Sequence, residues 1–182
     1  QVAASGYPDC SLKLWRDGKL AKTYRSKGEI RSISTWGDDS FATGALNQTA
    51  RIIEIDESSN VVLEHPAAVL AVACCPGALV TAAADKLLRS FIGPEWEPAI
   101  SVKCEAVSLC CAGTDLFAGP KYPETLLSVW AVADFVKEDS KPKARLRLKA
   151  HSSDTTTLSV AGDAVFSCSC DDTLLKWRLE GD

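Results

Sequence analysis

The sequence predicts an all-β fold, a β-propeller built from four-stranded antiparallel blades, and three observations lead to this prediction. First, segments with period-2 alternation of apolar residues recur along the chain. Second, the last inner strand of each repeat ends at an anchor, and the five anchors, Trp15, Ile53, Phe91, Trp130 and Trp177, are 38, 38, 39 and 47 residues apart. A period near forty residues is typical of propeller blades. Third, Gly and Asp turns separate the short strands inside the repeats.

The repeats divide a single domain, residues 1–182, near 1–26, 27–64, 65–103, 104–150 and 151–182. VAASG and SLKLW are predicted as the second and third strands of the first blade, and KLAKTY as its outer strand. The next three repeats have four predicted strands each, and the last has three, TTTLSVA, AVFSCS and TLLKW. Because the two incomplete blades lack different strands, we expect an open arc of a larger, seven-bladed ring, with the gap filled by further chain or a partner.

Three polar positions recur at fixed offsets before the anchors. A turn residue lies six positions before each anchor, a Ser or Thr often lies ten before it, and His65 and His151 lie 26 before theirs. All three are present, with a Trp anchor, only in the last repeat, as His151, Ser167, Asp171 and Trp177. In the first repeat, Ser5 lies ten positions before the anchor. In the fourth repeat, Cys104, Pro120 and Glu124 lie 26, ten and six positions before the anchor.

This pattern resembles the WD-repeat β-propeller family over essentially the whole chain. The resemblance implies that His151, Ser167, Asp171 and Trp177 form a hydrogen-bonded set inside one blade, and we expect all four to be largely buried. A buried imidazole and a buried indole N–H both need such partners. Asp171→Ala should therefore destabilise the protein, whereas Asp172→Ala, one residue on, should cost little.

Composition excludes several classes of protein. The chain is 46% hydrophobic and 24% charged, as in ordinary globular domains, and its net charge of −4 gives no general attraction for nucleic acid. The longest uncharged stretch, 66–84, could span a bilayer by length, but Pro76-Gly77 divides it into two predicted strands, so no membrane span is expected. Six of the eight cysteines, the pairs Cys74-Cys75 and Cys110-Cys111 together with Cys168 and Cys170, lie in predicted strands, and none has metal-site spacing. We expect them to be reduced and mostly buried, in an intracellular compartment, most simply the cytoplasm.

The sequence contains no convincing catalytic set. Its two histidines occupy the repeat position described above, and no Gly-rich phosphate-binding loop follows a strand. Acid pairs such as Asp171-Asp172 occur at turns, where Asp is favoured for backbone bonding alone. The protein is therefore predicted not to be an enzyme and to need no cofactor.

Two groups of residues are candidates for contacts with partners. Trp36, Trp96 and Phe135 lie in turns that should open on one face of the propeller, where they could anchor a protein partner or tuck against their own blades. The fourth repeat also carries an insertion with a basic run, Lys141, Lys143, Arg145, Arg147 and Lys149. These cations could contact phosphate, or could prevent an outer strand from pairing with another chain.

The resemblance to WD-repeat proteins implies a non-catalytic protein-interaction scaffold, a subunit of a larger assembly whose partners are other proteins. The alternative is an RNA- or ribosome-associated subunit that binds through the basic strand at 141–149.

Overall fold

The computed structural model describes residues 2–5, 9–37, 40–55, 60–137, 139–149 and 151–178. The described chain forms eighteen strands in five antiparallel sheets, numbered sheet 1 to sheet 5. Sheet 1 contains β1 (Val2–Ser5), β2 (Ser11–Arg16) and β3 (Lys19–Arg25), and sheet 2 contains β4 (Ile30–Trp36), β5 (Ser40–Ala45), β6 (Thr49–Glu54) and β7 (Asn60–Glu64). Sheet 3 contains β8 (Val69–Cys75), β9 (Ala78–Ala83), β10 (Leu87–Ile92) and β11 (Glu97–Lys103).

Sheet 4 contains β12 (Ala106–Ala112), β13 (Asp115–Pro120), β14 (Leu126–Ala131) and β15 (Leu146–Lys149). Sheet 5 contains β16 (Thr155–Ala161), β17 (Ala164–Ser169) and β18 (Leu174–Arg178). Within each sheet every strand pairs with its neighbour in the chain, so each sheet is a simple meander. The predicted all-β fold of antiparallel blades is confirmed, and one 3₁₀ turn at Val132–Asp134 is the only helical element of the described residues.

The core lies between successive sheets. The inner strands β4, β8, β12 and β16 pack side by side, and β9 is buried along its whole length because sheets cover both of its faces. One core cluster joins sheet 3 to sheet 4 through Val80, Leu88, Leu109 and Leu116. The uncharged stretch 66–84 forms the β8–β9 hairpin, as its Pro-Gly turn predicts. No helix of the described chain is long and apolar enough to cross a membrane.

The two end sheets have three strands each. Their strands match the expectation: sheet 1 lacks an innermost strand and sheet 5 lacks an outer one within the described residues. There, β1 pairs with β2 alone and β18 with β17 alone, so these strands do not join sheet 1 to sheet 5. That the arc belongs to a seven-bladed ring stays a prediction.

The outer strand of sheet 4 differs from its sequence pattern. Alternation in RLRLK predicts that Leu146 and Leu148 both face the core, but Leu146 is 54% exposed. Leu148 packs in the cluster that contains Leu127, Leu158 and Trp177. Sheet 5 has no fourth strand among the described residues that could cover Leu146.

Candidate functional site

The four residues expected to form a hydrogen-bonded set are brought together in sheet 5. Trp177 Nε1 donates to Ser167 Oγ at 2.9 Å, and Ser167 Oγ lies 2.8 Å from His151 Nε2. His151 Nδ1 lies 2.8 Å from Thr173 Oγ1, which is 2.6 Å from Asp171 Oδ1. The result is a continuous chain of hydrogen bonds across the blade.

The direction of this chain follows from its two ends. A carboxylate only accepts, so the Thr173 hydroxyl donates to Asp171 and accepts from His151 Nδ1–H. In the neutral imidazole Nε2 then accepts from the Ser167 hydroxyl, whose oxygen also accepts from the Trp177 indole. The imidazole is therefore the Nδ1–H tautomer. His151 and Ser167 are buried, whereas Asp171 and Trp177 are only partly so, which corrects the expectation that all four are largely buried.

Thr173 was missed by the reasoning from sequence. It joins His151 to Asp171, whose carboxylate is 3.3 Å from His151 Nδ1 itself. The pKa of Asp171 lies well below its ordinary value because the Thr173 hydroxyl and the Ser152 amide donate to its carboxylate. A recurring signal was present: Asp9 and Ser11, and Asn47 and Thr49, are bonded side chains with the same spacing.

The residue after each of the turn residues Asp9, Asn47, Asp85 and Asp171 has a left-handed backbone. The φ angles of Cys10, Gln48, Lys86 and Asp172 are 52°, 66°, 67° and 65°. Asp tolerates this conformation better than Ala, because its side chain can bond locally to the backbone. Asp172→Ala is therefore not the neutral control that the sequence indicated, because it adds backbone strain of about 1 kcal/mol.

We expect Asp171→Ala to destabilise the protein and Asp172→Gly to leave its stability unchanged or raise it. The first removes the acceptor for Thr173 and for the Ser152 amide, whereas the second relieves a left-handed backbone. Urea denaturation measures both changes as shifts of the unfolding midpoint, when the slope of the free energy of unfolding against urea concentration is unchanged. Equal losses of stability in the two variants would contradict this account of the turn.

The third repeat keeps part of the same arrangement. His65 Nε2 lies 2.9 Å from Thr81 Oγ1, and its Nδ1 lies 3.0 Å from the carbonyl of Leu63, so this imidazole is also the Nδ1–H tautomer. Phe91 stands where the fifth repeat has Trp177, and its ring packs against the imidazole. Asp85 is bound by Arg89. Burial lowers the pKa of His65 below its ordinary value near 6.5, with the Leu63 carbonyl opposing the shift.

Mild acid should destabilise the protein through His65. Since the folded pKa is lower than the unfolded one, the unfolded chain binds more protons below about pH 6.5, and folding stability falls as pH drops from there through the folded pKa. His65→Gln removes the titrating group. The wild type should therefore lose more stability than the variant between pH 7 and the folded pKa, as urea melts at several pH values would measure. Equal losses of folding stability with falling pH in the wild type and in His65→Gln would contradict this prediction.

Strand register corrects two of the alignments made by counting. Val165 pairs with Trp177 and Leu116 pairs with Trp130, so Ala118, not Pro120, is the counterpart of Ser167. In the same way Ala4, rather than Ser5, is its counterpart in sheet 1, where Val2 pairs with Trp15. Counting back from the anchor failed because the turns between the second and third strands differ in length.

The three aromatic candidates are placed differently. Trp36 and Trp96 meet edge to face across sheets 2 and 3, with ring centroids 5.0 Å apart, and both are half-buried at the rim that carries the β4–β5 and β10–β11 turns. Trp96 has a φ of 55°, in the turn between β10 and β11. Phe135 is fully buried against Trp130, so its interpretation as a partner contact is wrong: the insertion folds its aromatic ring into the core.

Two clefts open at the turns of this rim, and Trp36 lines the first of them. One, of about 260 Å³, is lined by Trp36, Gly37, Cys74, Cys75 and Pro76, and the other, of about 490 Å³, is lined by Pro94, Glu95, Glu97 and Asp139, among others. We call Trp36, Trp96 and these two clefts the tryptophan rim. It offers concave surface of mixed polarity, with carboxylates in the second cleft.

The basic run is exposed along its whole length. Lys141, Lys143 and Arg145 precede β15, while Arg147 and Lys149 lie two residues apart in that outer strand. Arg145 Nη1 forms an ion pair with Asp115 Oδ1 at 2.7 Å. The five cations therefore do not converge on one point, and one of them is already neutralised.

The cysteines are less buried than expected. Cys75 is buried and Cys170 is exposed, and the other six are half-buried. Burial raises the pKa of Cys110 to about 12 and that of Cys74 to about 11. No cluster of potential metal ligands occurs in the part of the chain that the structure describes.

Comparison with known proteins identifies the fold. No family model and no curated protein sequence matches the chain. A chain in the crystal structure of the mitotic checkpoint complex superposes with a TM-score of 0.82 at 18% identity, over 98% of this chain and 60% of that one. The computationally designed Ika4 protein matches with a TM-score of 0.66 at 16% identity, over 85% of this chain and 94% of its own.

The designed Ika8 protein gives a TM-score of 0.69 at 16% identity, over 97% of this chain and 55% of its own. This chain thus spans about three fifths of the checkpoint-complex chain that it resembles. Together with the five meandering sheets, these similarities establish a β-propeller arrangement.

Proposed function

We propose that this protein is a non-catalytic protein-interaction scaffold of the WD-repeat type, which contacts a protein partner through the tryptophan rim. The observation that carries the proposal is the Trp36–Trp96 pair, two large aromatic side chains held together and half-exposed at the edge of two sheets. Tryptophan is the residue most enriched at interface hot spots. The adjoining clefts supply the concave surface that such anchors need.

The fold supports this proposal in a second way. Trp36 lies at the end of β4 and Trp96 packs against the core cluster of sheets 2 and 3, so both rings are held in place and little ordering entropy is lost on binding. The similar chain of the mitotic checkpoint complex comes from a multi-protein assembly, which agrees with a scaffold role. His65 and His151 are engaged in structural hydrogen bonds inside their blades. The proposal therefore gives them no role in binding and assigns partner contacts to surface residues.

Replacing either tryptophan of the rim should weaken partner binding. We expect Trp36→Ala and Trp96→Ala each to reduce partner recovery about tenfold or more in a quantitative affinity pull-down analysed by mass spectrometry. Tyr122→Ala is the matched control, since Tyr122 is 62% exposed in the β13–β14 connection, at the opposite rim. Equal loss of the same partner in all three variants, or in none, would refute the proposal.

The alternative is an RNA-associated subunit that binds through the basic run, and the exposure of all five cations favours it. Phosphate contacts weaken steeply with added salt, whereas aromatic-anchored protein contacts do so much less. Recovery of RNA that falls with salt and with a Lys141→Ala/Lys143→Ala variant, but not with Trp96→Ala, would favour this alternative.

A further inference from the structure

Sheet 4 contains a modified version of the hydrogen-bonded set of sheet 5. Trp130 occupies the position of Trp177, as their strand pairings show. The position of Ser167 is Ala118, which has no hydroxyl. Cys104 follows β11 as His65 follows β7: each amide donates to the carbonyl of the turn residue in the preceding hairpin, Lys86 and Gln48. Cys104 therefore stands where the other repeats have histidine.

These two replacements leave an indole donor without a partner. Trp130 is 4% exposed, and its Nε1 makes no hydrogen bond with any described residue. A buried unpaired N–H costs about 1–3 kcal/mol, so such groups usually have a partner. In sheet 5 the equivalent Nε1 is satisfied by Ser167.

The replacements also leave space. A cavity of about 250 Å³ is lined by Cys104, Ala118, Ser128 and Trp130 on its inner side. The larger imidazole and the hydroxyl of sheet 5 are absent from the corresponding positions here. Burial raises the pKa of the Cys104 thiol to about 11. At neutral pH the thiol is therefore uncharged, and it lines the cavity without acting as a nucleophile.

The outer side of the cavity is polar. Lys103 and Arg147 line it, and within the described chain neither takes part in an ion pair. The two lining acids are engaged: Glu105 bonds Lys86 at 3.1 Å, and Glu124 Oε1 accepts the amides of Thr125 and Leu126. The cavity thus combines two uncommitted cations at its mouth with an unpaired donor in its wall.

We propose that this cavity binds a small monovalent carboxylate. A carboxylate can accept from the Trp130 indole and from the guanidinium of Arg147 or the ammonium of Lys103. The volume admits only a small group. Because Glu105 and Glu124 also line the cavity, a divalent phosphate is repelled more than a carboxylate of single charge. The site is separate from the tryptophan rim, so it stands or falls independently of the proposed function.

The carboxylate has two sources that share this chemistry, a free organic acid and the side chain of an aspartate in a partner. Propionate is the probe for the first, and aspartate capped as its N-acetyl amide is the probe for the second. Inorganic phosphate tests whether the cavity prefers a carboxylate to a divalent anion. Tighter binding of propionate than of the capped aspartate indicates a free acid, and the reverse order indicates a partner's side chain; both orders support the site.

The five tryptophans provide the readout. In protein labelled with ¹⁵N at the indole, the Trp130 Nε1–H signal, assigned with Trp130→Phe, should move downfield as propionate or the capped aspartate is added. The Trp177 signal should stay in place, because its donor is already bonded to Ser167. An unmoved Trp130 signal with both probes, or tighter binding of phosphate than of either, overturns the proposal.

Three variants locate the site. Arg147→Ala should weaken binding about tenfold, whereas Lys149→Ala, on the same strand but not lining the cavity, should leave it unchanged. Ala118→Ser gives Trp130 the acceptor that Trp177 has, and should abolish the probe-dependent shift. Equal binding in Arg147→Ala and Lys149→Ala would also overturn the proposal.

Discussion

Gly119→Ala is expected to destabilise the protein by about 3 kcal/mol or more, as overpacking combined with a broken buried hydrogen bond. Gly119 lies in β13 of sheet 4, in close contact with Thr155 of sheet 5. An added Cβ would overlap Ser108 Oγ and would lie 2.8 and 2.9 Å from Thr155 Cγ2 and Cβ. Ser108 Oγ donates to the Thr155 carbonyl at 2.7 Å, a bond between the two sheets that the methyl group would displace.

The mechanism is tested by a second substitution. Ser108→Ala removes the oxygen that the new methyl group would meet, so Gly119→Ala should cost less in a Ser108→Ala background. Gly113→Ala is a useful contrast, since Gly113 has open space around it and a φ of 58°, and should cost only the backbone strain of about 1 kcal/mol. Losses for Gly119→Ala no larger than for Gly113→Ala, measured by urea denaturation, would be inconsistent with close sheet packing.

Ser167→Ala is expected to cost about 2 kcal/mol, because a single hydroxyl is bonded both to the buried imidazole of His151 and to the indole N–H of half-buried Trp177, and a stranded buried group costs about 1–3 kcal/mol. Ser167 is 0% exposed, and its Oγ accepts from Trp177 and donates to His151. Removing it leaves the indole N–H and the imidazole Nε2 unpaired at once. The fold itself should survive, since Ala118 occupies the same position in sheet 4.

A double-mutant cycle separates the two contributions. In a Trp177→Phe background the indole donor is already gone, so Ser167→Ala should cost about 1 kcal/mol less than in the wild type. Ser159→Ala, on the exposed part of β16, is the matched control and should change stability little. An identical cost of Ser167→Ala in both backgrounds would mean that Trp177 and Ser167 are not energetically coupled.

The repeat period predicted the eighteen strands because propeller blades are local structures: each sheet is a meander in which every strand pairs with its sequence neighbour. Alternation, turn residues and anchor spacing all act over short distances, so they are readable from the chain. The hydrogen bonds among His151, Ser167 and Trp177 were also predicted from sequence, since they lie within one repeat at fixed offsets.

The remaining features depend on contacts between repeats or on the lengths of turns. Phe135 is read as a surface anchor in the sequence because its segment is polar, but it is buried against Trp130. The pairing of Trp36 with Trp96 joins residues sixty positions apart in neighbouring sheets. Thr173 was missed because its role depends on where the turn directs its hydroxyl.

The sequence by itself thus determined the fold class and the hydrogen bonds among His151, Ser167 and Trp177 of the fifth repeat, because strand alternation and repeat offsets are local properties. Only the tertiary structure decided which aromatic rings remain at the surface, and that Ala118 rather than Pro120 is the counterpart of Ser167. Packing between sheets and the register across turns of unequal length set those features. The unpaired Trp130 donor and the cavity beside it follow from that register, and could not be read from the spacing of residues along the chain.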